Sequence, residues 1–373
     1  MRGSITRAGT AFALAATLAL GAAACGGDDE NTTGGTSAEG GGEGAKIALL
    51  LPETKTTRYE EQDKPGFEKR VAELCPDCEV LYSNANQDAA RQQQQAEQAI
   101  TNGAKAIVIS AVDVQSAAAI VQRANQSNVP VIAYGRLIPD ADISHYVSID
   151  PFEVGKQQGE VLLDALKAKD AATGPIVMIN GSPTDSNSAP YKRGAHSVLD
   201  AAGVRIAKEY DTPDWSPDTA QREMEQAITA VGENGFAGVY SANDGMAGGA
   251  IAAMKGAGID PADRPTTGQD AELAGLQRIL AGEQLMTVYQ PLLQLSAAAA
   301  ELAVPLAQGK QPPADLAKDR VDNGAKQVPS VLLPTIAITK DNIAETVIKD
   351  GFTKAEDLCT GKYADMCAEA GIQ

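Results

Sequence analysis

Side chains that can hydrogen-bond or pack against a hydroxylated ligand follow the apolar runs of this sequence. They are Arg58 and Tyr59 after KIALLL, Arg136 after VPVIAY, Asp185 and Asn187 after PIVMIN, Trp215 after VRIAKEY, Asn243 after GFAGVYS, Asp270 at the end of PTTGQD and Gln290 at the end of LMTVYQ. Carboxylates, amides and guanidinium groups form paired hydrogen bonds with vicinal hydroxyls, each of which donates and accepts. The apolar C–H face of a sugar packs on an aromatic ring. The set therefore predicts a carbohydrate-binding site.

Each of these residues also has a structural explanation. Asp185, Asp244 and Asp270 stand where helix N-caps are expected, since a carboxylate there accepts hydrogen bonds from free backbone N–H groups. Trp215, the single tryptophan, could cover core surface. Arg136 is the hardest to explain in this way, because an unpaired charge at the end of a buried strand is costly. The agreement among many strand ends, rather than any one residue, favours a binding site.

The elements that must position these residues alternate apolar runs with amphipathic segments. Strands are predicted at 46–51, 79–84, 105–110, 129–134, 175–180, 204–210, 235–241, 265–270 and 285–290, and helices at 64–74, 89–103, 114–128, 152–168, 188–202, 217–232, 246–256 and up to about 282. Strands separated by helices form parallel sheets covered on both faces, and ligands bind outside the carboxyl ends of such strands. Because the units are too many for one sheet, we expect two α/β blocks divided near 148–151.

Composition excludes several classes of function. The net charge of −18, without a basic cluster, argues against a nucleic-acid partner and against adhesion to an anionic membrane surface. No strand-to-helix turn reads GxGxxG, and there is no P-loop, GxSxG or HExxH motif. We therefore expect neither a cofactor nor a metal ion.

The N-terminal residues have the layout of an export signal. Two arginines precede the apolar run 11–24, which is shorter than the roughly 20 residues that span a bilayer and ends in small residues. AAAC followed by GG is typical of a lipobox, so Cys25 would carry a lipid after removal of the signal peptide 1–24. Ordinary cleavage near Ala24 is the alternative. Residues 25–45 are rich in Gly, Ser, Thr and acid and predict a flexible tether, which would hold the body at the outer face of the cell membrane.

The other four cysteines form two local pairs, Cys75 with Cys78 and Cys359 with Cys367. In an exported chain such an even set indicates disulfides. Zinc is an alternative, but both histidines are far from either pair in sequence, so four thiolates would have to meet. A thioredoxin-like redox site at CPDC is another. It is disfavoured because the pair follows a predicted helix and so lacks the helix N-terminus that lowers a thiol pKa.

Several long, loop-centred stretches resemble one family. The family is the type I periplasmic sugar-binding proteins of ABC transporters, and the stretches are RLIPDADISHYVSID, NGSPTDSN, SANDGMAGGAI, GQDAELAGLQRILAGEQLMTVYQP and ETVIKDGFTKAEDL. The resemblance covers roughly 46–357 and implies an α/β fold of two Rossmann-like lobes joined by a three-strand hinge. Crossings would fall near 148–151, 288–292 and 323–330. The implied parts are an N-terminal lobe of 46–149 plus about 290–325, a C-terminal lobe of 150–289 plus about 326–357, and a disulfide-bearing tail at 358–373.

The resemblance also implies roles for individual residues. The family's sugar contacts would fall on Arg58, Arg136, Asp185, Asn187, Trp215, Asn243 and Asp270, with Tyr59 where the family pattern has tryptophan. Two positions depart from that pattern: Gly135 replaces an aspartate, and Gln290 replaces a lysine. An acid and a base are lost together, so the net charge of the site is unchanged. The implied ligand is a xylose-like pentose or a related sugar.

These observations favour a monomeric binding protein that captures a monosaccharide between two lobes and delivers it to the permease of an ABC transporter, without catalysis. A membrane sensor kinase is an alternative partner. An exported glycoside-acting enzyme could use Asp185 and Asp270 as its carboxylate pair, although the sequence indicates no apolar pocket that would raise the pKa of an acid. A sugar-responsive repressor would need a DNA-binding helix pair where this chain has an export signal.

Overall fold

The computed structural model describes residues 44–372, which belong to one compact unit. The expected signal peptide at 1–24, the lipid-modified Cys25 and nearly all of the expected tether lie outside the described residues.

The described residues alternate strands and helices as the sequence predicts. The strands are β1 (Lys46–Leu51), β2 (Glu79–Asn84), β3 (Ala104–Ile109), β4 (Val131–Tyr134), β5 (His145–Ile149), β6 (Ile176–Asn180), β7 (Ile206–Asp211), β8 (Gly238–Ser241), β9 (Thr287–Tyr289), β10 (Asp319–Asp322), β11 (Gln327–Leu333) and β12 (Ile336–Ile338). The α-helices are α1 (Lys64–Leu74), α2 (Ala89–Thr101), α3 (Ala117–Gln126), α4 (Pro151–Ala168), α5 (Ser188–Leu199), α6 (Pro217–Val231), α7 (Asp244–Gly256), α8 (Leu273–Leu280), α9 (Leu292–Ala307), α10 (Ala355–Leu358) and α11 (Ala364–Glu369).

The strands form two parallel-dominated sheets and one strand pair. The larger sheet has the order β10-β11-β5-β4-β3-β1-β2, with parallel neighbours except for β10 and β11. The smaller sheet is parallel with the order β7-β6-β8, and β9 pairs with β12 antiparallel. Helices α2, α3 and α9 contact the larger sheet, with α1 packed against α9, and helices α4 to α7 contact the smaller sheet, with α8 packed against α7. The fold class is the predicted one, and each sheet with its helices is called a lobe below.

Strand β1 illustrates why the sequences of the central strands are continuously apolar. Ile47, Leu49 and Leu51 face one hydrophobic core, whereas Ala48 and Leu50 face another on the opposite side of the sheet. Successive side chains of a strand point to opposite faces, so a strand with helices on both sides needs apolar residues at every position. Each large apolar side chain buried in this way contributes about 1.5–3 kcal/mol. Polar side chains are thereby displaced to the strand ends.

The predicted strand at 265–270 is not a regular strand. It runs beside β8 and forms a single bridge between Val239 and Thr266. The hydroxyl of Thr267 replaces further ladder bonds, because it accepts from the N–H of Ser241 at 2.8 Å and donates to the carbonyl of the same residue at 2.9 Å. The backbone beyond this point is therefore free to turn toward the other lobe.

The third passage between the sheets lies later than expected. The chain leaves the larger sheet after β5, returns to it after β9, and leaves it again between β11 and β12. The expected crossing at 323–330 and lobe boundary at about 326 are corrected to 333–336, because Ser330–Leu333 pairs with Tyr146–Ile149. That pairing satisfies backbone groups at the edge of β5. A hairpin with Gly324 at its turn, at φ 90°, then adds β10.

The structure joins both expected cysteine pairs as disulfides. Cys75 and Cys78 close the turn after α1, and Cys359 and Cys367 link α10 to α11. The tail that the second pair closes is packed and not free, since Leu358, Cys367 and Ile372 are buried in the hydrophobic core. Covalent closure here supports a short segment that has little apolar surface of its own.

Asp244 anchors the segment that leads from the smaller sheet into α8. Its side chain is fully buried. The carboxylate accepts hydrogen bonds from Gln284 Nε2 at 2.6 Å, from Thr287 Oγ1 at 2.8 Å and from the N–H of Glu272 at 3.0 Å. A Cβ atom on Gly275 would collide with this carboxylate, so the close approach of α8 requires glycine there.

The anchored segment contains strained backbone. Asp270 and Ala271 have φ values of 90° and 50°, a region that non-glycine residues rarely adopt. The N–H of Asp270 donates to the carbonyl of Val288 at 2.9 Å, and that of Ala271 donates to Thr287 Oγ1 at 3.1 Å. The Asp244 carboxylate stabilises this conformation, because it accepts hydrogen bonds from the same Thr287 hydroxyl and from the backbone N–H of Glu272.

Burial raises the pKa of Asp244 to about 7, since lost hydration outweighs the Arg278 guanidinium and the hydrogen bonds that favour the carboxylate. The folded state therefore keeps a proton that the unfolded chain releases. We expect the free energy of unfolding to fall as the pH rises from about 4 to about 7, by up to about 1.4 kcal/mol per pH unit. Asp244→Asn should lack this component, and urea unfolding at several pH values measures the difference.

The matched control is Asp164→Asn, which removes an exposed carboxylate of α4 that pairs with Lys167 on the surface. This variant should keep the pH dependence of the unchanged protein. Identical pH profiles for Asp244→Asn and the unchanged protein would contradict the assignment of the titrating group.

Candidate functional site

All nine residues that the sequence indicates at strand ends line one cavity, called here the cleft cavity. They are Arg58, Tyr59, Arg136, Asp185, Asn187, Trp215, Asn243, Asp270 and Gln290, and Thr56, Gly135, Tyr191 and Gln269 complete the lining. Residues following β1 and β4 come from the larger sheet, and most of the others follow strands of the smaller sheet. The cavity therefore lies where the carboxyl ends of both sheets meet, which is the usual ligand position in open α/β sheets.

Thr56 and Tyr191 are not among the residues expected from the sequence. Thr56 lies in the loop of Arg58, two positions earlier. Tyr191 lies in α5, four residues after Asn187, and residues four apart project from the same side of a helix. The four-residue spacing from Asn187 could therefore have indicated Tyr191 from the sequence.

Arg58 is held by a carboxylate of its own lobe. Its Nε lies 2.8 Å from Asp63 Oδ2, and its Nη2 donates to Asp63 Oδ1 at 3.0 Å. Asp63 ends a π-helical turn, Tyr59–Asp63, and also accepts a hydrogen bond from the Tyr134 hydroxyl. With only 9% of its surface exposed, Arg58 is a buried, bidentately paired charge.

Arg136 pairs with a carboxylate of the opposite lobe. Its Nε lies 2.7 Å from Asp185 Oδ2, its Nη1 donates to the carbonyl of Ala111 at 2.7 Å, and its Nη2 donates to the Tyr59 hydroxyl at 3.3 Å. Only 3% of the residue is exposed. Burial of this guanidinium is thus compensated by a residue that follows β6, across the cleft.

Asp185 organises the residues around it instead of capping a helix. Its Oδ1 accepts from the N–H of Asn187 at 2.8 Å, and its Oδ2 accepts from Trp215 Nε1 at 3.2 Å. Helix α5 begins at Ser188, and no side chain caps it. Asn187 Nδ2 donates to the carbonyl of Gly135 at 2.8 Å and so adds a second polar contact between the lobes.

Aromatic rings form an apolar wall of the cleft cavity. Trp215 and Tyr191 are buried and meet edge to face, with ring centroids 6.3 Å apart. Trp215 follows Asp214 in a left-handed turn, with φ values of 53° and 59° respectively. A Cβ atom on Gly181 would collide with the indole ring, so glycine is required beneath it. The strained turn therefore serves to present a flat ring.

Asn243, and not Asp244, is the cap of α7. Its Oδ1 accepts from the N–H of Met246 at 2.9 Å. One amide oxygen thus satisfies the helix terminus. The Nδ2 group of Asn243 remains for a ligand in the cavity that this residue lines.

Gln290 bridges Arg58 and Asp270. Its Oε1 accepts from Arg58 Nη1 at 3.2 Å, and its Nε2 donates to Asp270 Oδ1 at 2.9 Å. Gln269 Nε2 donates to the same oxygen at 3.3 Å, while Arg58 Nη1 lies 3.7 Å from it. Burial raises the pKa of Asp270, because desolvation outweighs the nearby Arg58 guanidinium and the hydrogen bond from Gln269.

Two backbone N–H groups of the first lobe donate hydrogen bonds across the cleft to the second lobe. The N–H of Val114 donates to the carbonyl of Thr184 at 3.2 Å, and the N–H of Thr57 donates to Glu272 Oε1 at 3.2 Å. Together with the Arg136–Asp185 pair, they hold the lobes against each other around the cavity.

The arrangement suits a neutral, hydroxylated solute, because paired charges and amides leave both donors and acceptors at an aromatic wall. Within residues 44–372, no group of three or more His, Cys, Asp or Glu side chains is placed to hold a metal ion. Among the helices between residues 44 and 372, none combines the length and the hydrophobicity that a transmembrane span requires.

Comparison with known proteins agrees with this geometry. The periplasmic binding protein domain family matches residues 47–311. The D-xylose-binding periplasmic protein of Escherichia coli (strain K12) is 37% identical over 317 residues, covering 84% of this chain and 92% of its own. The multiple sugar-binding periplasmic receptor ChvE of Rhizobium radiobacter is 32% identical, covering 84% of this chain and 92% of its own.

A solved structure has the same fold. It is an ABC transporter solute-binding protein from Clostridium phytofermentans with bound β-D-glucose, which is 27% identical with a TM-score of 0.74 and covers 84% of this chain and 99% of its own. These relatives are named as sugar-binding or solute-binding proteins. The chain belongs to the periplasmic binding proteins, within the type I sugar-binding proteins of ABC transporters.

Proposed function

We propose that this protein is an extracytoplasmic solute-binding lipoprotein that captures a monosaccharide in the cleft cavity and presents it to the permease of an ABC transporter. The observation that carries the proposal is the convergence of nine strand-end side chains from both lobes on one buried polar cavity. Closure of two lobes around a ligand is a general mode of action of periplasmic binding proteins.

The chemistry of the wall supports a sugar. A sugar hydroxyl both donates and accepts, so it can join the Arg136–Asp185 pair without leaving either charge unpaired. Asn187 and Asn243 add amide groups, and the face of Trp215 suits the C–H face of a pyranose. The cavity thus offers polar and apolar contacts together, as a carbohydrate requires.

Gly135 and Gln290 bear on which sugar is bound. A Cβ atom on Gly135 would find only Ser110 Oγ within 4 Å, at 3.7 Å, so this edge of the cavity has open space. A hexose carries one hydroxymethyl group more than the corresponding pentose, and such a substituent can use that space. One relative is named for D-xylose and another was solved with β-D-glucose. We propose a xylose-like pentose or the related hexose as the ligand.

Thermal unfolding in the presence of pentoses, hexoses, polyols, amino acids and nucleosides tests the ligand class. A ligand that binds only the folded state raises the melting temperature by mass action, and we expect this from a monosaccharide. Arg136→Ala leaves Asp185 buried without its partner and should weaken binding by at least about tenfold, and Asn243→Ala should also weaken it. Arg123→Ala, on the exposed side of α3, is the control and should bind normally. A response to amino acids or nucleosides, with none to sugars, would refute the assignment.

The double substitution Gly135→Asp with Gln290→Lys tests selectivity. An aspartate at this left-handed position, at φ 71°, is tolerated better than most side chains and fills the open space. We expect the affinity for D-glucose to fall at least about tenfold relative to D-xylose in titration calorimetry. Gly135→Ala, which adds a methyl group without the acid, should change the ratio less. An unchanged ratio in the double variant would show that other positions decide selectivity.

Cys25→Ala tests anchoring and transport together. Loss of the lipidated thiol should release the protein from the membrane fraction, because two anchoring signals or a stable lipid are needed to retain a protein there. Uptake of labelled sugar at limiting concentration should fall as a result. Deletion of the protein that leaves uptake intact but abolishes sugar-induced transcription would instead identify a sensor kinase as the partner.

A further inference from the structure

The loop that follows β3, residues 110–114 and called here the β3 loop, supports the cleft cavity through its backbone. Strand β3 lies between β1 and β4 in the larger sheet, and these two neighbours are followed by Arg58 and Arg136. Within residues 44–372, the lining of the cleft cavity includes no residue of the β3 loop. The side chains that fix the backbone of this loop therefore bear on the geometry of the site.

Two backbone groups of the β3 loop contact the polar wall of the cleft. The carbonyl of Ala111 accepts the hydrogen bond from Arg136 Nη1 at 2.7 Å. The N–H of Val114 donates to the carbonyl of Thr184 at 3.2 Å. Thr184 immediately precedes Asp185, the carboxylate that pairs with Arg136. The β3 loop thus contacts the guanidinium directly and contacts the segment that carries its carboxylate partner.

Gln92 of α2 holds the β3 loop from the side that faces away from Arg136. Its Nε2 donates to the carbonyl of Ser110 at 2.9 Å, and its Oε1 accepts from the N–H of Val112 at 2.9 Å. The N–H of Val112 and the carbonyl of Ala111 belong to the same planar peptide unit, in which these two groups point in opposite directions. One peptide unit is therefore bonded to Gln92 at one end and to Arg136 at the other.

The burial of Gln92 is explained by these bonds. Only 2% of Gln92 is exposed, whereas the next two glutamines of the same run, Gln93 and Gln94, are exposed. A buried amide ordinarily has partners for both its nitrogen and its oxygen, and here the β3 loop supplies both. Because Gln92 does not line the cleft cavity, any influence that it has on a ligand passes through the backbone that it holds.

We propose that Gln92 is a positioning residue of the sugar site, which fixes the Ala111–Val112 peptide unit so that its carbonyl directs the Arg136 guanidinium toward Asp185. The inference rests on the proposed function, because sugar affinity is the property that this orientation sets. Side chains that bind a ligand keep a productive geometry when supporting hydrogen bonds lock them. Without Gln92 the peptide unit is free to rotate, and Arg136 loses the acceptor of its Nη1 group.

Titration calorimetry of the full mature chain with D-xylose and D-glucose tests the proposal. Gln92→Met keeps the approximate length of the side chain and removes both hydrogen bonds, so we expect the sugar affinity to fall at least about fivefold. Gln92→Asn keeps the amide but is one methylene group shorter, and it should cause a smaller loss in the same direction. This milder variant takes the place of Gln92→Met if the latter does not fold.

A double-mutant cycle with Arg136→Lys separates positioning from a general structural effect. Lysine keeps a positive charge near Asp185 but lacks the Nη1 group that donates to Ala111. If Gln92 acts through this group, Gln92→Met should lower the sugar affinity less than about twofold in the Arg136→Lys background. Full additivity of the two losses would overturn the proposal.

Gln95→Met is the matched control, since Gln95 lies on the same helix and its Nε2 donates to the carbonyl of Asn84 at 2.8 Å. Asn84 ends β2 and does not line the cleft cavity, so this variant should bind sugar within about twofold of the unchanged protein. Equal losses in the two methionine variants, or no loss in either variant of Gln92, would overturn the positioning role and leave the proposed function intact. If the unchanged protein binds no sugar, both proposals are overturned.

Discussion

Two arginine side chains are buried at the ends of strands, and the arrangement of the cleft depends on the need to pair them. Removing a guanidinium from water costs several kcal/mol unless a carboxylate and further hydrogen bonds replace the water. Arg58 finds its carboxylate, Asp63, in its own lobe, whereas Arg136 finds Asp185 in the opposite lobe. One half of the site is therefore complete within a single lobe, and the other half exists only when the lobes are together. The Arg136–Asp185 part of the polar wall is thus built jointly by the two lobes.

The wall contributed by the second lobe is kept in place by strained backbone that is supported from behind. Trp215 and Asp270 both have positive φ, which a protein retains only where surrounding contacts over-determine it. Gly181 makes room beneath the indole, and the buried carboxylate of Asp244 fixes the backbone that follows Asp270. Residues outside the cavity lining, Gly181 and Asp244, thus determine the positions of residues that line it.

The cleft cavity combines aromatic rings, amides and paired charges in one lining. Its guanidinium groups are paired with carboxylates, Arg58 with Asp63 and Arg136 with Asp185. Gly135 and Gln290 line the same cavity without being members of these two ion pairs.

The sequence by itself determined the α/β class, the order of most elements and the nine strand-end residues, because short continuous apolar runs between amphipathic helices identify strands buried on both faces, and the carboxyl ends of such strands converge. It also indicated both disulfides, since the cysteines of each pair are close in the chain. Only the tertiary structure decided which groups are partners: Asp63 reaches Arg58 through a π-helical turn, Asp185 reaches Arg136 across the cleft, and β11 joins the larger sheet at the edge of β5. Local periodicity carries no information on these contacts, because they depend on backbone turns and on chain segments that meet only after the two lobes have folded.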